Sequence, residues 1–263
     1  MATCSDDGLS WDRVECGTGA ACLSTLPGAG CELQTSGTRS LEDNLAATAR
    51  LALGEGYCTA FFVNERDVMT NNHSCPDRSS CVGAIVQVDF RGVEGLDVEE
   101  HVVLEVLLTS EAHDVAILRV ETPEHPVPHV VFAPASSYER EPVYVVGHPR
   151  GQPLQSSLGI LLERRERVEY PYRSGPKTKL DQLLYWAQAA PGSSGSPVFL
   201  ATTHSLLALH HTGGLSPEDF GLTRDATESF TELLAATEAD AIVPLLEAAG
   251  VPFERQPSEF DAP

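Results

Sequence analysis

Three residues far apart in the chain are of the types that nucleophilic catalysis needs: His73 in DVMTNNHSC, Asp114 in EAHDVAILRV and Ser194 in PGSSGSPVF. A serine hydroxyl is nearly inert at neutral pH. Attack therefore requires a base that takes its proton and returns it to the leaving group, and an acid that orients the base. Ser194 stands in a glycine-bounded bend, a geometry that exposes a side chain and turns successive backbone N–H groups towards one spot. Gly/Ser runs usually mark linkers or turns. This one lies between DQLLYWAQAA and SPVFLATTHSLLALHH, two apolar segments, which sets it inside a packed domain. His73 follows an apolar strand on an Asn-rich turn. Asp114 opens a strongly apolar strand, where a buried carboxylate is expensive unless it is paired.

The elements that must position these residues are short strands. From residue 39 onward, CTAFFV, DVMT, AIVQVDF, HVVLEVLL, DVAILRV, PVYVVGHP, LGILLE, LLYWAQA, SPVFL and SLLALHH are separated by Gly, Pro, Asp and Asn turns. Such spacing predicts an all-β chain, a barrel or a sandwich. Only TEADAIVPLLEAAG reads as a helix, with Thr237 and Asp240 as a capping pair and Gly250 as the stop; Pro244 argues for a start nearer Asp240. The expected organisation is a cysteine-rich segment 1–38, a catalytic domain 39–250 and a loose tail 251–263.

Charge and cysteine usage narrow the class further. A net charge of −21 argues against nucleic acid or an anionic membrane as the main partner. It also fits a self-repelling, monomeric protein. ERRERVEYPYRSGPKTK, residues 163 to 179, holds six of the 17 basic residues and reads as a solvated strand and loop. No apolar run is long enough to span a membrane, and the first twenty residues lack the regions of a signal peptide. Four of the seven cysteines (Cys4, Cys16, Cys22 and Cys31) crowd a segment with little apolar content, where disulfides are usually needed. This usage points to secretion or the cell envelope, with the cytoplasm as the alternative.

TNNH, HDVAIL and GSSGSPVF, in that order, resemble the motifs of the trypsin-like serine peptidases, and YVVGHPRG and LLALHHTGG resemble segments of their bacterial glutamyl-endopeptidase branch. The resemblance runs from about residue 39 to about residue 250. It implies two six-stranded antiparallel Greek-key barrels with a C-terminal helix, a His73–Asp114–Ser194 triad, and an oxyanion hole formed by the N–H groups of Gly192 and Ser194. A protein or peptide is the implied substrate, and no cofactor or metal is implied. Digestive members carry an aspartate before the nucleophile. Here that position is Ser193, so activation through an ion pair with a new N-terminus is not available.

The resemblance also implies a bridge between Cys58 and Cys75, with Cys81 as the competing partner. It makes Gln188, Ala189 and His210 the primary specificity pocket, and His211, Thr212 and Gly213 the strand that pairs with the substrate backbone. His210 suggests cleavage after Glu or Asp, with small apolar residues as the other reading. Gln188 stands where trypsins carry an aspartate and argues against Lys/Arg specificity. Ala189 removes a hydroxyl expected in the branch. Two rival classes remain: a binding module on the same fold, and a metal enzyme using His204, His210 and His211. The metal reading is the weaker, because adjacent histidines on one strand point to opposite faces.

Overall fold

The computed structural model describes residues 40–54, 56–92, 97–134, 140–172, 175–222 and 232–257. The cysteine-rich segment 1–38 lies outside them. A short helix, α1 (Leu41–Ala46), opens the described chain, nucleated by a capping box between Ser40 and Asp43.

Six strands follow: β1 (Thr48–Leu53), β2 (Gly56–Phe62), β3 (Asp67–Thr70), β4 (Ile85–Val88), β5 (Glu99–Ser110) and β6 (Val115–Val120). They close into an antiparallel barrel in the order β1-β2-β3-β6-β5-β4. Alternation along the strands explains its two faces. Ala60, Phe62, Val68, Ala116 and Leu118 fill the barrel, while Phe61, Met69, Val115 and Ile117 face a second apolar cluster outside it.

The second body contains β8 (Pro142–Gly147), β9 (Gln155–Tyr172), β10 (Gly175–Trp186), β11 (Pro197–Leu200), β12 (Leu206–Leu215) and β13 (Leu233–Glu238). Its order is β11-β8-β9-β10-β13-β12, and β11 also pairs with β12, which closes the ring. Two short parallel additions, β7 (Val131–Phe132) and β14 (Glu254–Arg255), extend it beyond β12. Helix α2 (Ala239–Ala249) packs Ile242, Val243 and Leu246 into the cluster that also holds Phe61, Ile117, Tyr144 and Phe199. That shared core joins the two barrels.

The all-β expectation with a C-terminal helix is met, and the differences have local causes. TARLAL, rich in good helix formers, is nonetheless strand β1, because β2 and β4 pair with it on both sides. Thr237 does not cap α2. It lies in β13, and Glu238 precedes the helix without a side-chain cap bond. The expected loose tail is docked as far as it is described: Val251 is buried and residues 254–255 pair with β7. The described residues of the basic stretch 163–179 lie in β9 and β10, where Arg164 bonds Glu238 and Arg165 bonds Glu163.

Candidate active site

The turn between β5 and β6 presents Asp114 with a left-handed backbone, φ 53°, a conformation that Asp tolerates better than most residues. The Asn71 side chain donates to the Asp114 carbonyl at 3.0 Å and so fixes that turn against the loop after β3. His73 lies two residues further along this loop. Its backbone N–H donates to Asp114 Oδ1 and its ring Nδ1 bonds Asp114 Oδ2, both at 2.8 Å. The Asp114 side chain is fully buried, whereas the His73 ring is 38% exposed. Burial alone would raise the Asp114 carboxyl. The His73 hydrogen bond and charge, with His211 and Lys179 nearby, outweigh burial and bring it down to about 2. The acid is thus ionised and the imidazole is oriented, as a base requires.

The Asn-rich motif has a mechanical meaning. Asn72 bonds the Thr109 hydroxyl, which donates to the Cys75 carbonyl, and Cys75 N–H returns to the Asn71 carbonyl. A disulfide then ties the loop's end, but not the expected one. Cys75 pairs with Cys81, their Cα atoms 5.5 Å apart, and Cys58 is a free buried thiol. The Asp77–Ser80 turn, closed on the Asp77 carboxylate, folds Cys81 back onto Cys75, while the Cys58 sulfur lies 3.8 Å from the Thr70 hydroxyl. Spacing from the base does not encode that turn.

The Ser194 loop belongs to the second barrel but is fastened to the first. Thr59 N–H in β2 donates to the Ser194 carbonyl at 2.8 Å, and the Thr59 hydroxyl donates to the Gly192 carbonyl at 3.0 Å. The Thr59 carbonyl accepts from Thr70, three residues before His73. Gly195, with φ +85°, lies so close that a Cβ there would meet the Thr59 oxygen at 1.9 Å. Ser194 is half-buried. His73 is close enough to His210 and His211 on β12 to depress their basicity. Ser194, His73 and Asp114, the three residues singled out in the sequence, are therefore gathered at one seam between the barrels. Ser193, in place of an activating aspartate, closes its own turn: its hydroxyl accepts from Ala190 N–H and its N–H donates to the Ala190 carbonyl. Among the described residues, the Gly192 and Ser194 N–H groups have no protein acceptor, as an oxyanion hole needs.

The sequence reading missed the supports of this loop. The turn Pro149–Gly151 braces it, with Arg150 N–H donating to the Pro191 carbonyl and His148 N–H donating to the Thr59 hydroxyl. YVVGHPRG was the available signal: a Cβ at Gly147 would meet Ser196 Oγ at 2.0 Å and Thr59 Oγ1 at 2.9 Å, so a larger residue would displace the Thr59 hydroxyl that holds the loop. Of the residues expected to form the specificity pocket, Gln188 and Ala189 are exposed and Gln188 N–H bonds Ser157 Oγ. His210 is buried, with its Nδ1 bonded to the Tyr185 hydroxyl at 2.8 Å. The His211 ring is buried beneath Asp114, Thr212 is half-buried and Gly213 is exposed. His204 bonds Tyr144 instead and does not converge with His210 and His211 on one point. Among the described residues no group of side chains is arranged to hold a metal ion.

Residues 58–209 match the trypsin-like peptidase domain, and the chain belongs to that family. No curated protein matches the sequence. Solved structures share its fold at low identity. The active form of the Rv3671c protease from M. tuberculosis is 22% identical with a TM-score of 0.58, covering 84% of this chain and 87% of that one. The MamO protease domain from Magnetospirillum magneticum, 16% identical, gives 0.56 over 78% and 97% of the two chains. Deg5, 15% identical, gives 0.56 over 80% and 93%.

Proposed function

We propose that the protein is a serine endopeptidase. Ser194 attacks the scissile carbonyl, His73 takes the hydroxyl proton and passes it to the leaving amine, and Asp114 holds the imidazole and stabilises its charged form. The N–H groups of Gly192 and Ser194 receive the oxyanion, and water then cleaves the acyl-enzyme by the same steps in reverse. The observation that carries this reading is the buried Asp114 carboxylate, bonded twice to His73 beside a nucleophile loop that Thr59 fastens to the same barrel.

The pairing of β11 with β12 ends at Leu209, and the His210 N–H still bonds the Ser196 carbonyl. Beyond that point the edge of 211–213 is open to an added substrate strand. Membership of the glutamyl-endopeptidase branch, and with it cleavage after Glu or Asp, rests on the motif resemblance and on His210. A second reading, cleavage after small apolar residues, is favoured by the state of that ring. Burial lowers the His210 pKa to about 3, and Tyr185 and the Ala235 backbone already engage the imidazole, so it offers no charge to a substrate carboxylate. The Cys75–Cys81 bridge supports an oxidising compartment, and residues 1–38 are taken as a segment separate from the peptidase domain.

A fluorophosphonate probe tests the chemistry. The wild type should label and a folded Ser194→Ala variant should not; a folded wild type that resists the probe supports the binding-module class instead. A peptide-library digest decides specificity, with cuts mainly after Glu or Asp restoring the acidic reading.

A further inference from the structure

The Asp114 carboxylate has more neighbours than one base requires. Its Oδ1, bonded to the His73 N–H, lies 3.9 Å from Lys179 Nζ, and its Oδ2, bonded to the His73 ring, lies 3.8 Å from His211 Nδ1. Lys179 of β10 and His211 of β12 are both buried. The acid of the first barrel is therefore faced by two cation-forming groups of the second.

The protonation of His211 can be read from Gln182. Gln182 Nε2 donates to the Leu180 carbonyl at 2.7 Å and to Thr237 Oγ1 at 3.1 Å, and the Thr237 hydroxyl donates onward to the His113 carbonyl. Two acceptors on that side fix which end of the amide is nitrogen. The other end, Oε1, accepts from the Tyr170 hydroxyl at 2.9 Å and meets His211 Nε2 at 2.5 Å. An amide oxygen only accepts, so His211 Nε2 carries the proton. In a neutral ring Nδ1 then bears a lone pair. That atom is buried without a hydrogen-bond partner, and it is the one that faces Asp114. A lone pair held against a carboxylate is a poor contact; one added proton turns it into an ion pair.

We propose that His211 is a positioning residue and an acid brake on the triad: a proton from solvent, added at His211 Nδ1, draws Asp114 Oδ2 away from His73 and releases the base from its catalytic orientation. The inference rests on the peptidase reading above. In the neutral state the His211 ring, locked by Gln182 and edge-on to Tyr170 at 5.3 Å, fills the space beneath the carboxylate and keeps it turned to His73. Burial keeps the proton off, Asp114 draws it on, and the His73 and Lys179 charges oppose it, with the result that the ring titrates at about 4. His210, its neighbour on β12, is buried and neutral as well. The brake therefore acts in acid and leaves neutral catalysis alone.

The test is the rate of fluorophosphonate labelling of the full chain against pH, with intrinsic fluorescence checking that the protein is folded at each point. In the wild type the acid limb should fall with the steepness of about two protons. His211→Asn, which cannot titrate, should label more slowly and fall with about one. Gln182→Glu sets a carboxylate against the Nε2–H and should move the limb up by about one pH unit or more. A purely structural role predicts slower labelling with an unmoved limb. Wild type that labels, with both variants keeping its limb in midpoint and steepness, overturns the proposal and leaves the peptidase reading standing. Wild type that does not label overturns both. If His211→Asn does not fold, an unshifted limb in Gln182→Glu is sufficient to refute it.

Discussion

Gly195→Ala is the substitution that most directly tests whether the seam sets the nucleophile. Two costs are separable. A left-handed backbone with a Cβ costs about 1 to 2 kcal/mol, and this cost applies equally at Gly250, φ +65°, where nothing lies within 4 Å of the added atom. At Gly195 the Cβ also meets the Thr59 oxygen at 1.9 Å, about 1.5 Å inside the 3.4 Å of ordinary contact. Neither that oxygen nor β2 can retreat freely, since Thr59 also bonds Thr70, Gly192 and Ser194. Overpacking of this kind adds about 1 to 3 kcal/mol. Gly195→Ala should therefore lower stability by about 2 to 5 kcal/mol and Gly250→Ala by about 1 to 2. Relief comes by moving the loop, and a displacement near 1 Å costs about a hundredfold in rate. Denaturant unfolding gives the first quantity and fluorophosphonate labelling the second. If Gly195→Ala labels at the wild-type rate, the fastening of the loop to β2 does not set the position of Ser194.

Other expected outcomes follow from the same contacts. Thr59→Val keeps the volume but strands the His148 N–H and the Gly192 carbonyl, and should cost about 1 to 3 kcal/mol together with labelling rate; unchanged labelling argues against a link between that hydroxyl and the oxyanion loop. Burial holds His148 and His211 at about 4 and His210 at about 3, below the usual 6.5, so the unfolded chain binds more protons than the native one between those values. Stability is full above pH 6.5 and should fall on acidification towards pH 4, by on the order of 3 kcal/mol per group; a melting temperature constant from pH 7 to 4.5 refutes it. Non-reducing peptide mapping should recover Cys75 joined to Cys81. Reduction of this short loop should cost about 2 kcal/mol, and a Cys58–Cys75 peptide would overturn the assignment.

The parts legible in the sequence are those written at the ends of strands. His73, Asp114 and Ser194 each stand where an apolar run meets a polar turn, and apolar runs bounded by Gly, Pro, Asp and Asn marked the strands beside them. What was hidden is of three kinds. Strands β1 and β13 are rich in Ala and Leu, and their pairing is decided by neighbours on both sides and not by propensity. The Cys75–Cys81 pairing depends on a turn built by Asp77, a local hydrogen-bond pattern that cysteine spacing does not carry. The surroundings of Asp114 come from β10 and β12, far along the chain, and a two-residue period assigns a face without naming the atom that face will meet.

That third kind bears on how the fold makes a site at all. Neither barrel holds the whole of the proposed site: the first carries His73 and Asp114, the second carries Ser194, Lys179 and His211. The cluster of Phe61, Ile117, Tyr144, Phe199 and Ile242 buries the interface but is indifferent to small slides of one barrel on the other, because apolar contact is non-directional. Directional bonds are needed to set the register. Thr59 supplies them on the nucleophile side; on the base side Lys179 of the second barrel donates to the Glu111 carbonyl and holds its ammonium 3.9 Å from Asp114 Oδ1. Buried charge does for the second what backbone hydrogen bonds do for the first: a displaced Asp114 would lose the Lys179 ammonium in a medium where a poorly paired carboxylate is costly. The same low polarity that keeps Asp114 ionised only while it is paired therefore also keeps the two halves of the proposed triad in line.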